Sequence, residues 1–296
     1  MIVITGASGK TGSKAAELLL AKNRPVRVIG RSLEHLTWLG EKGAQIMTGD
    51  QANESFLTSA FSGADAVYLL VPPKLDADDP VKYYDTMGDV AISAIKKAGI
   101  RKVVFLSSLG AELESGTGPI VGLHHVEQKL DALKQVDIVV IRAGYFMENL
   151  LTNMGLIKGQ KINGNTISPG APIQMVASRD VGAKAAELLE SLSFSGHTVV
   201  EIFGQRISFS DATRIIGDKI GIPELHYVQF PPRDAVSAMT GMGLSKGIAK
   251  GFVEMGDRIS EGKIITLTVD PLRPNAPTRF DKFVDDVLVP AYKNAA

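Results

Sequence analysis

The sequence predicts an α/β fold: a doubly wound parallel sheet, followed by a smaller α+β lobe towards the C-terminal end. First, apolar residues 2–4 run directly into a turn with glycines at positions 6, 9 and 12, and then into an Ala- and Leu-rich helical pattern. Second, strand and helix patterns alternate as far as about residue 145, as they do in βαβ units around a parallel sheet. Third, this alternation stops after Asn149.

Five further strands are expected in the first part of the chain, because each is a short apolar run bounded by turn residues. Their near-continuous apolar character is typical of strands that helices cover on both faces. They span residues 25–29, 44–48, 66–71, 102–107 and 137–142. The longest helical pattern between them spans residues 81–98 and ends at Gly99. Elements in this order form a Rossmann fold, whose ligand lies across the carboxyl ends of the strands.

The chain beyond residue 150 is expected to form a small substrate-binding lobe. Residues 159–172 are rich in Gly, Asn and Pro and predict a loop or a short hairpin. Further elements are expected at residues 179–191, 198–202, 210–220, 225–230 and 280–287. We therefore predict two units, residues 1–150 and residues 151–296, of which the second is interlaced with the first and does not stand alone.

Composition and charge exclude several classes of function. Of the 296 residues 45% are hydrophobic, enough for a sizeable core. Lys+Arg and Asp+Glu both total 32, so no net charge attracts the chain to nucleic acid or to an anionic membrane. The absence of cysteine excludes disulfides, thiolate metal sites and thiol catalysis. No apolar run is long enough to span a bilayer, and the chain opens on its first strand without a signal peptide, so a cytoplasmic protein is expected.

The glycine-rich turn is the strongest functional signal. Glycines let the backbone approach a ligand closely, and the unpaired N–H groups of the helix that follows bind a pyrophosphate. Because strand, turn and helix arrive in the required order, dinucleotide binding is favoured over an ordinary Gly-rich βα turn.

The end of the second strand predicts which dinucleotide is bound. An acidic residue there binds the ribose hydroxyls of NAD, but this strand ends in Gly30 and Arg31, the latter 19 residues after Gly12. A guanidinium pairs with a 2′-phosphate in a bidentate manner, and Lys10 adds a second cation. The alternative is a pair of solvated surface cations. The position of Arg31 favours NADPH over NADH.

Two further segments are expected beside the cofactor. Asp50 follows the third strand, where it either accepts a hydrogen bond from the adenine amino group or caps the helix that starts near Asn53. Val71 and Pro72 end the fourth strand and are expected to form a rigid wall of the cofactor site.

The usual proton donor is missing from this chain. Reduction of a carbonyl by NADPH moves a hydride to carbon and requires a proton for the developing alkoxide. Short-chain dehydrogenases usually use a Ser after the fifth strand, with a Tyr and a Lys four residues apart on the next helix. Ser107 and Ser108 are suitably placed, but residues 112–134 contain no Tyr. We therefore expect activity on delocalised acceptors, such as quinones, conjugated dyes or iminium ions, and little on simple ketones.

Four segments carry a resemblance to a known family: the turn at residues 6–12, and residues 124–127, 141–149 and 276–284. They are similar to the NmrA-like group of atypical short-chain dehydrogenases, and the similarity runs over essentially the whole chain. It implies an NADPH-dependent quinone, dye or iminium reductase, or a redox sensor that binds the dinucleotide without catalysis. In the quinone-reductase branch a Lys-His-X-Glu run begins this helix, and here His124 stands in place of the lysine. The implied cofactor contacts are Gly6, Ser8, Gly9, Lys10, Thr11, Gly12 and Arg31.

Three residues remain as candidates for the chemistry: His125, Tyr145 and Ser107. His125 and Lys129 lie four residues apart on one helix face, and the ammonium favours a neutral imidazole that can donate a proton. The alternative is a histidine without a role. Tyr145 follows the sixth strand, where it either lines the nicotinamide pocket or covers the core.

Two functions from different classes remain open. The first is an enzyme that uses NADPH to reduce a small quinone-like acceptor in a pocket lined by the three candidates. The second is a sensor that acts through a protein partner, for which the two redox forms of the cofactor must bind with different affinities. A sugar-nucleotide epimerase shares the fold but needs the missing Tyr. Nucleic acid and membranes are not expected partners.

Overall fold

The computed structural model describes residues 1–294. Its strands are β1 (Ile2–Ile4), β2 (Val26–Gly30), β3 (Gln45–Thr48), β4 (Ala66–Leu69), β5 (Lys102–Ser108), β6 (Asp137–Ala143), β7 (Tyr145–Phe146), β8 (Ile162–Asn165), β9 (Ile173–Val176), β10 (His197–Ile202), β11 (Gln205–Ile207) and β12 (His226–Gln229). Its α-helices are α1 (Lys10–Ala21), α2 (Thr37–Glu41), α3 (Glu54–Phe61), α4 (Pro80–Ala98), α5 (Ile120–Asp131), α6 (Met154–Gln160), α7 (Ser178–Ser191), α8 (Phe209–Ile220), α9 (Pro232–Gly241), α10 (Lys246–Ser260), α11 (Phe280–Phe283) and α12 (Val289–Asn294). A 3₁₀ helix covers Met147–Asn153, and a π-helical segment covers Val284–Leu288.

The main sheet has seven parallel strands in the order β10-β6-β5-β4-β1-β2-β3. From β1 the chain proceeds to β2 on one side, and it later returns to β4 on the other. The carboxyl ends of β1 and β4 therefore form the switch point at which ligands of doubly wound sheets bind. This arrangement confirms the predicted fold class, and all six strands expected before residue 145 are present.

Helices cover both faces of the main sheet. On one face α1 and α7 pack against each other and over strand residues such as Ile4 and Ile141. On the other face α3, α4 and α5 cover Val67 and Phe105. These four strand side chains are fully buried. Burial from two sides explains why the strands read as continuous apolar runs.

The expected interlacing of the two units involves β10 and α7. Strand β10 is the edge strand beside β6, with Val200 opposite Ile141, and α7 packs on α1. Both elements follow residue 150 in sequence, yet both belong to the main sheet and its covering layer. The strand expected at residues 198–202 thus extends the main sheet and not the lobe. The division into residues 1–150 and 151–296 stays a prediction.

The smaller lobe has its own apolar core, which includes Phe209, Phe280 and Phe283. Strand β8 pairs in parallel with β12, while β9 pairs with β11 and β7. Residues 159–172 therefore contain a strand and a loop and not a hairpin, because the partner of β8 comes much later in the chain. Residues 262–279, which we call the strap, connect α10 to α11 without helix or strand.

None of the helices within residues 1–294 has both the length and the apolar character that a membrane span requires.

Candidate functional site

The glycine turn is tightly closed on itself. Gly6 has a positive φ of 59°, and the N–H of Gly9 donates to the carbonyl of Gly6 at 2.9 Å. A Cβ atom placed on Gly12 would lie 2.6 Å from that same carbonyl oxygen. Because real side chains do not approach a backbone atom so closely, Gly12 is what allows α1 to start directly against the turn.

The N-terminus of α1 is open to an anion. Gly9 is its N-cap, and among residues 1–294 no side chain caps it. Its first turn is Lys10, Thr11 and Gly12, of which Lys10 is exposed, as is the neighbouring Ser8. Backbone N–H groups and the positive end of the helix dipole thus point to the switch point of the sheet. The predicted cofactor residues of the turn lie together here.

Arg31 and Asp50 lie around Tyr83, which sequence reasoning missed. Burial raises the pKa of Tyr83, the charge of Asp50 adds to this effect, and the charge of Arg31 opposes it. The hydroxyl of Tyr83 also donates to the carbonyl of Pro72 at 3.0 Å. Tyr83 therefore contacts the predicted wall after β4 and lies within the electrostatic influence of two predicted nucleotide residues. Its position in the first turn of α4 was the only signal in the sequence.

Asp50 does not cap the helix that follows it. Its side chain accepts from the N–H of Ala52 at 2.9 Å and so closes the turn before α3. Asn53 is the N-cap and accepts from the N–H of Phe56 at 3.0 Å. The capping interpretation of Asp50 is therefore wrong, and its contact with adenine stays a prediction.

The wall after β4 is anchored to β1. The hydroxyl of Thr5 donates to the carbonyl of Tyr68 at 3.0 Å and accepts from the N–H of Leu70 at 2.9 Å. This pair of bonds fixes the carboxyl ends of β1 and β4 relative to each other. Val71 follows immediately and is buried, whereas Pro72 is partly exposed.

Ser107 belongs to a buried charge network. Its hydroxyl donates to Glu127 on α5, and Arg142 on β6 donates to both carboxylate oxygens of Glu127, at 3.2 and 2.7 Å. Arg142 also donates to Glu112 at 3.2 Å. Burial by itself would lower the pKa of Arg142. Its hydrogen bond to Glu127 and the charges of the nearby carboxylates outweigh burial, so the pKa of Arg142 is raised. Arg142 thus stays charged and ties β5, β6 and α5 together.

Tyr145 lines a small cavity at the carboxyl ends of β5 and β6. The cavity has a volume of about 40 Å³. Its lining includes Ser108, Ala143, Tyr145, Gln174, Met255 and Ile264. The serine beside Tyr145 is therefore Ser108, and Ser107 faces the opposite side of the sheet. A larger opening of about 350 Å³ lies between α9 and α10 and is lined by residues outside the predicted site.

The phenol of Tyr145 is a weak acid. Burial raises its pKa to about 12, against the opposing effect of hydrogen bonds with Asn149 and Asn165. Its ring also packs edge-on against Phe209 at 5.7 Å between centroids. Tyr145 thus both lines the cavity and covers the core of the lobe. A phenol with this pKa is poorly matched to proton donation near neutral pH.

His125 faces α4 and not the cavity. Its Nδ1 lies 3.1 Å from the carboxylate of Asp85, and Lys129 pairs with the same carboxylate at 3.2 Å and with Asp89 at 2.7 Å. Burial raises the pKa of Asp85, but the hydrogen bonds from His125 and Lys129 outweigh it and lower the pKa. The expected ammonium beside His125 is therefore shielded by a carboxylate. The structure does not bring His125, Tyr145 and Ser107 into one pocket.

Glu201 attaches the strap to the main sheet. Its buried carboxylate accepts from the N–H groups of Leu267, at 2.9 Å, and of Thr268, at 2.7 Å. Burial raises the pKa of Glu201, yet these backbone donors outweigh it and the pKa is lowered from 4.5. Sequence reasoning missed this residue, because its partners lie more than sixty positions later in the chain.

We expect Glu201→Gln to lower the free energy of unfolding by about 1–3 kcal/mol near neutral pH, because the amide presents one acceptor oxygen in place of two. A carboxylate with a depressed pKa stabilises the fold above its unfolded pKa, and this contribution is lost as the pH falls through the folded value. The difference from wild type should therefore shrink below about pH 4.5. Urea unfolding at several pH values measures it, with the exposed Glu254→Gln as control. A difference that is constant with pH contradicts this account.

The seven-stranded parallel sheet, its switch point and the glycine turn before the uncapped helix α1 define a protein of the Rossmann class. The chain belongs to the NmrA-like family, whose model matches residues 1–284. This finding confirms the resemblance that the four sequence segments indicated.

Known proteins are similar over nearly the whole chain. NAD(P)H azoreductase of Xenophilus azovorans is 25% identical over 255 residues, which are 86% of each chain. The structure of NADPH-dependent quinone oxidoreductase from Escherichia coli, complexed with NADPH, has a TM-score of 0.80 at 22% identity and covers 97% of this chain and 100% of that one. NmrA, a negative transcriptional regulator solved in complex with NADP, has a TM-score of 0.77 at 16% identity and covers 100% of this chain and 98% of that one.

Proposed function

We propose that this protein is an NADPH-dependent oxidoreductase that reduces a delocalised acceptor of the quinone type. The observation that carries the proposal is the uncapped N-terminus of α1 at the switch point, with Arg31 at the end of the neighbouring strand. The azoreductase and the NADPH-bound quinone oxidoreductase support the same class of reaction.

The residues around the switch point fit this cofactor. The N–H groups of Lys10, Thr11 and Gly12 suit the pyrophosphate, while Gly6, Ser8 and Gly9 let it approach the turn. Arg31 and Lys10 suit a 2′-phosphate, and Asp50 suits the adenine amino group. Val71 and Pro72 suit a wall of this cofactor site.

The chain offers the acceptor little acid catalysis. Within residues 1–294, the hydroxyls near the cavity are engaged or weakly acidic: Ser108 donates to the carbonyl of Leu109 at 3.0 Å, and Tyr145 has its pKa raised to about 12. The bound nucleotide supplies a hydride, and a simple ketone then becomes an alkoxide that needs a proton at once. A quinone spreads the charge over its ring and takes its proton from water. The proposed balance is quinone, NADPH and one proton giving hydroquinone and NADP⁺.

Cofactor preference is tested by Arg31→Asp. We expect the dissociation constant for NADPH to rise by about ten- to a hundredfold, because a carboxylate replaces the cation beside the 2′-phosphate. The constant for NADH should change much less. Fluorescence titration with both nucleotides measures the ratio, with the exposed Arg206→Asp on β11 as control. An unchanged preference for NADPH would falsify the role of Arg31.

The reaction is tested by NADPH consumption with a panel of quinones and cationic dyes, beside NADH and an aliphatic ketone. Turnover that depends on the acceptor and prefers NADPH supports the reductase. Robust turnover of the ketone contradicts the proposed acceptor class.

A second candidate function is a redox sensor without catalysis. It is favoured by the small volume of the cavity beside Tyr145, and the NADP-bound regulator NmrA shares the fold. Such a sensor must bind NADPH and NADP⁺ with different affinities, because equal affinities shift no population. If the protein binds NADPH and NADP⁺ tightly but with unequal affinities, and turns over no acceptor, the sensor is supported. The next step is then to identify its protein partner.

A further inference from the structure

The cavity beside Tyr145 is too small for the acceptor that we propose. Its volume is about 40 Å³, whereas small-molecule pockets usually measure about 300–1,000 Å³. A wall of the cavity must therefore move before a ring-shaped acceptor can enter.

Two lining residues of this cavity lie outside helices and strands: Leu109, whose N–H donates to the carbonyl of Ala143 at 2.9 Å, and Ile264 in the strap. Ser108 lies on β5, Tyr145 on β7 and Met255 on α10, and each is held by its element. Ile264 lies in the strap and fills the space over Gly110, where an added Cβ would come within 3.1 Å of the isoleucine. The side chain of Ile264 thus packs against the loop after β5 and forms part of the cavity wall.

A buried amide holds this part of the strap in place. Gln174 is 2% exposed, and its side-chain oxygen accepts from the N–H of Thr266 at 2.8 Å. Its side-chain nitrogen donates to the hydroxyl of Thr266 at 3.0 Å. Glu201 holds the next two residues of the strap. On the other side, the N–H of Gly262 donates to the carbonyl of Ile259 at 2.9 Å and that of Lys263 to the carbonyl of Arg258 at 3.0 Å. The stretch between these bonds and those of Thr266 is therefore short and consists of Ile264 and Ile265.

We propose that Ile264 determines the size of the acceptor that reaches the hydride donor, by moving out of the cavity together with Ile265 while the rest of the strap stays attached. This inference rests on the proposed function and adds its specificity determinant. The hydride still passes from NADPH to the acceptor, and the proton still comes from water.

The test compares a one-ring quinone with a two-ring quinone. Ile264→Ala should raise the ratio of kcat/KM for the two-ring over the one-ring quinone about tenfold, because removing three carbon atoms enlarges the cavity. Ile264→Phe should lower the ratio. The dissociation constant for NADPH should not change in either variant. The matched control is Leu267→Ala, since Leu267 lies in the same strap but is 62% exposed and outside the cavity lining.

The outcomes separate this inference from the proposed function. Turnover of the one-ring quinone with an unchanged ratio in both Ile264 variants rejects the inference and leaves the reductase. An equal rise of the ratio in Leu267→Ala also rejects it, because general loosening of the strap then explains the effect. If neither wild type nor any variant reduces either quinone, while NADPH binds, the proposed function and this inference fail together.

Discussion

We expect Gly12→Val to raise the dissociation constant for NADPH at least about 100-fold, which corresponds to about 2.7 kcal/mol of binding free energy. Already the first carbon of any side chain at this position would lie 2.6 Å from the carbonyl oxygen of Gly6. That oxygen belongs to the backbone and accepts a hydrogen bond from the N–H of Gly9, so it cannot move away to make room for a side chain. The start of α1 must then move away from the turn, and its N–H groups move with it.

Thermal unfolding and nucleotide titration together test this result. The matched control is Gly155→Val, because an added Cβ at Gly155 meets nothing within 4 Å. The control should bind NADPH as the wild type does. A folded Gly12→Val protein with unchanged affinity would show that the cofactor binds elsewhere.

The second large effect is expected at Arg142, where replacement by methionine should cost about 3–5 kcal/mol of stability. Methionine keeps much of the volume but leaves Glu127 and Glu112 without their cation in a largely buried place. An uncompensated buried charge is far more costly than a lost surface pair. Chemical unfolding measures the loss. Arg214→Met is the control, because its exposed pair with Asp218 is worth at most about 1 kcal/mol.

A double variant identifies the cause of this loss. Adding Glu127→Gln to Arg142→Met removes one of the two carboxylates that the first substitution leaves without a cation. The double variant should therefore regain part of the lost stability. If the double variant is no more stable than Arg142→Met alone, lost packing and not stranded charge explains the effect.

Most of the main sheet could be predicted from the sequence, because its strands are buried on both faces and read as apolar runs. The placement of β10 in this sheet could not be predicted. Both β6 and β10 are recognisable as strands in the sequence. However, the pairing of Val200 with Ile141 joins two strands between which the chain passes through the lobe. No local pattern encodes such a neighbour.

The position of the turn, Arg31 and Asp50 at one edge of the sheet was predictable, because each follows a strand and the ends of parallel strands meet at one edge. Their roles towards the cofactor stay predictions. The arrangement of the polar side chains near Tyr145 was harder to predict from the sequence. Ser107 and Ser108 point to opposite faces, and only the packed sheet shows that Ser108 faces the cavity. The partner of His125 is Asp85, which lies on another helix. Ile264 lies in a segment without periodicity, which offers no signal at all.

The position of β10 also bears on how the protein is made. Strand β6 emerges from the ribosome ahead of β10, from which residues 144–196 separate it, so its outer edge has no partner until β10 follows. At about 5–20 residues per second this delay is on the order of 3–10 s. During that time an apolar, unpaired strand edge is open to other chains. The protein is thus exposed to edge-to-edge association during its own synthesis, and this exposure ends when β10 pairs with β6.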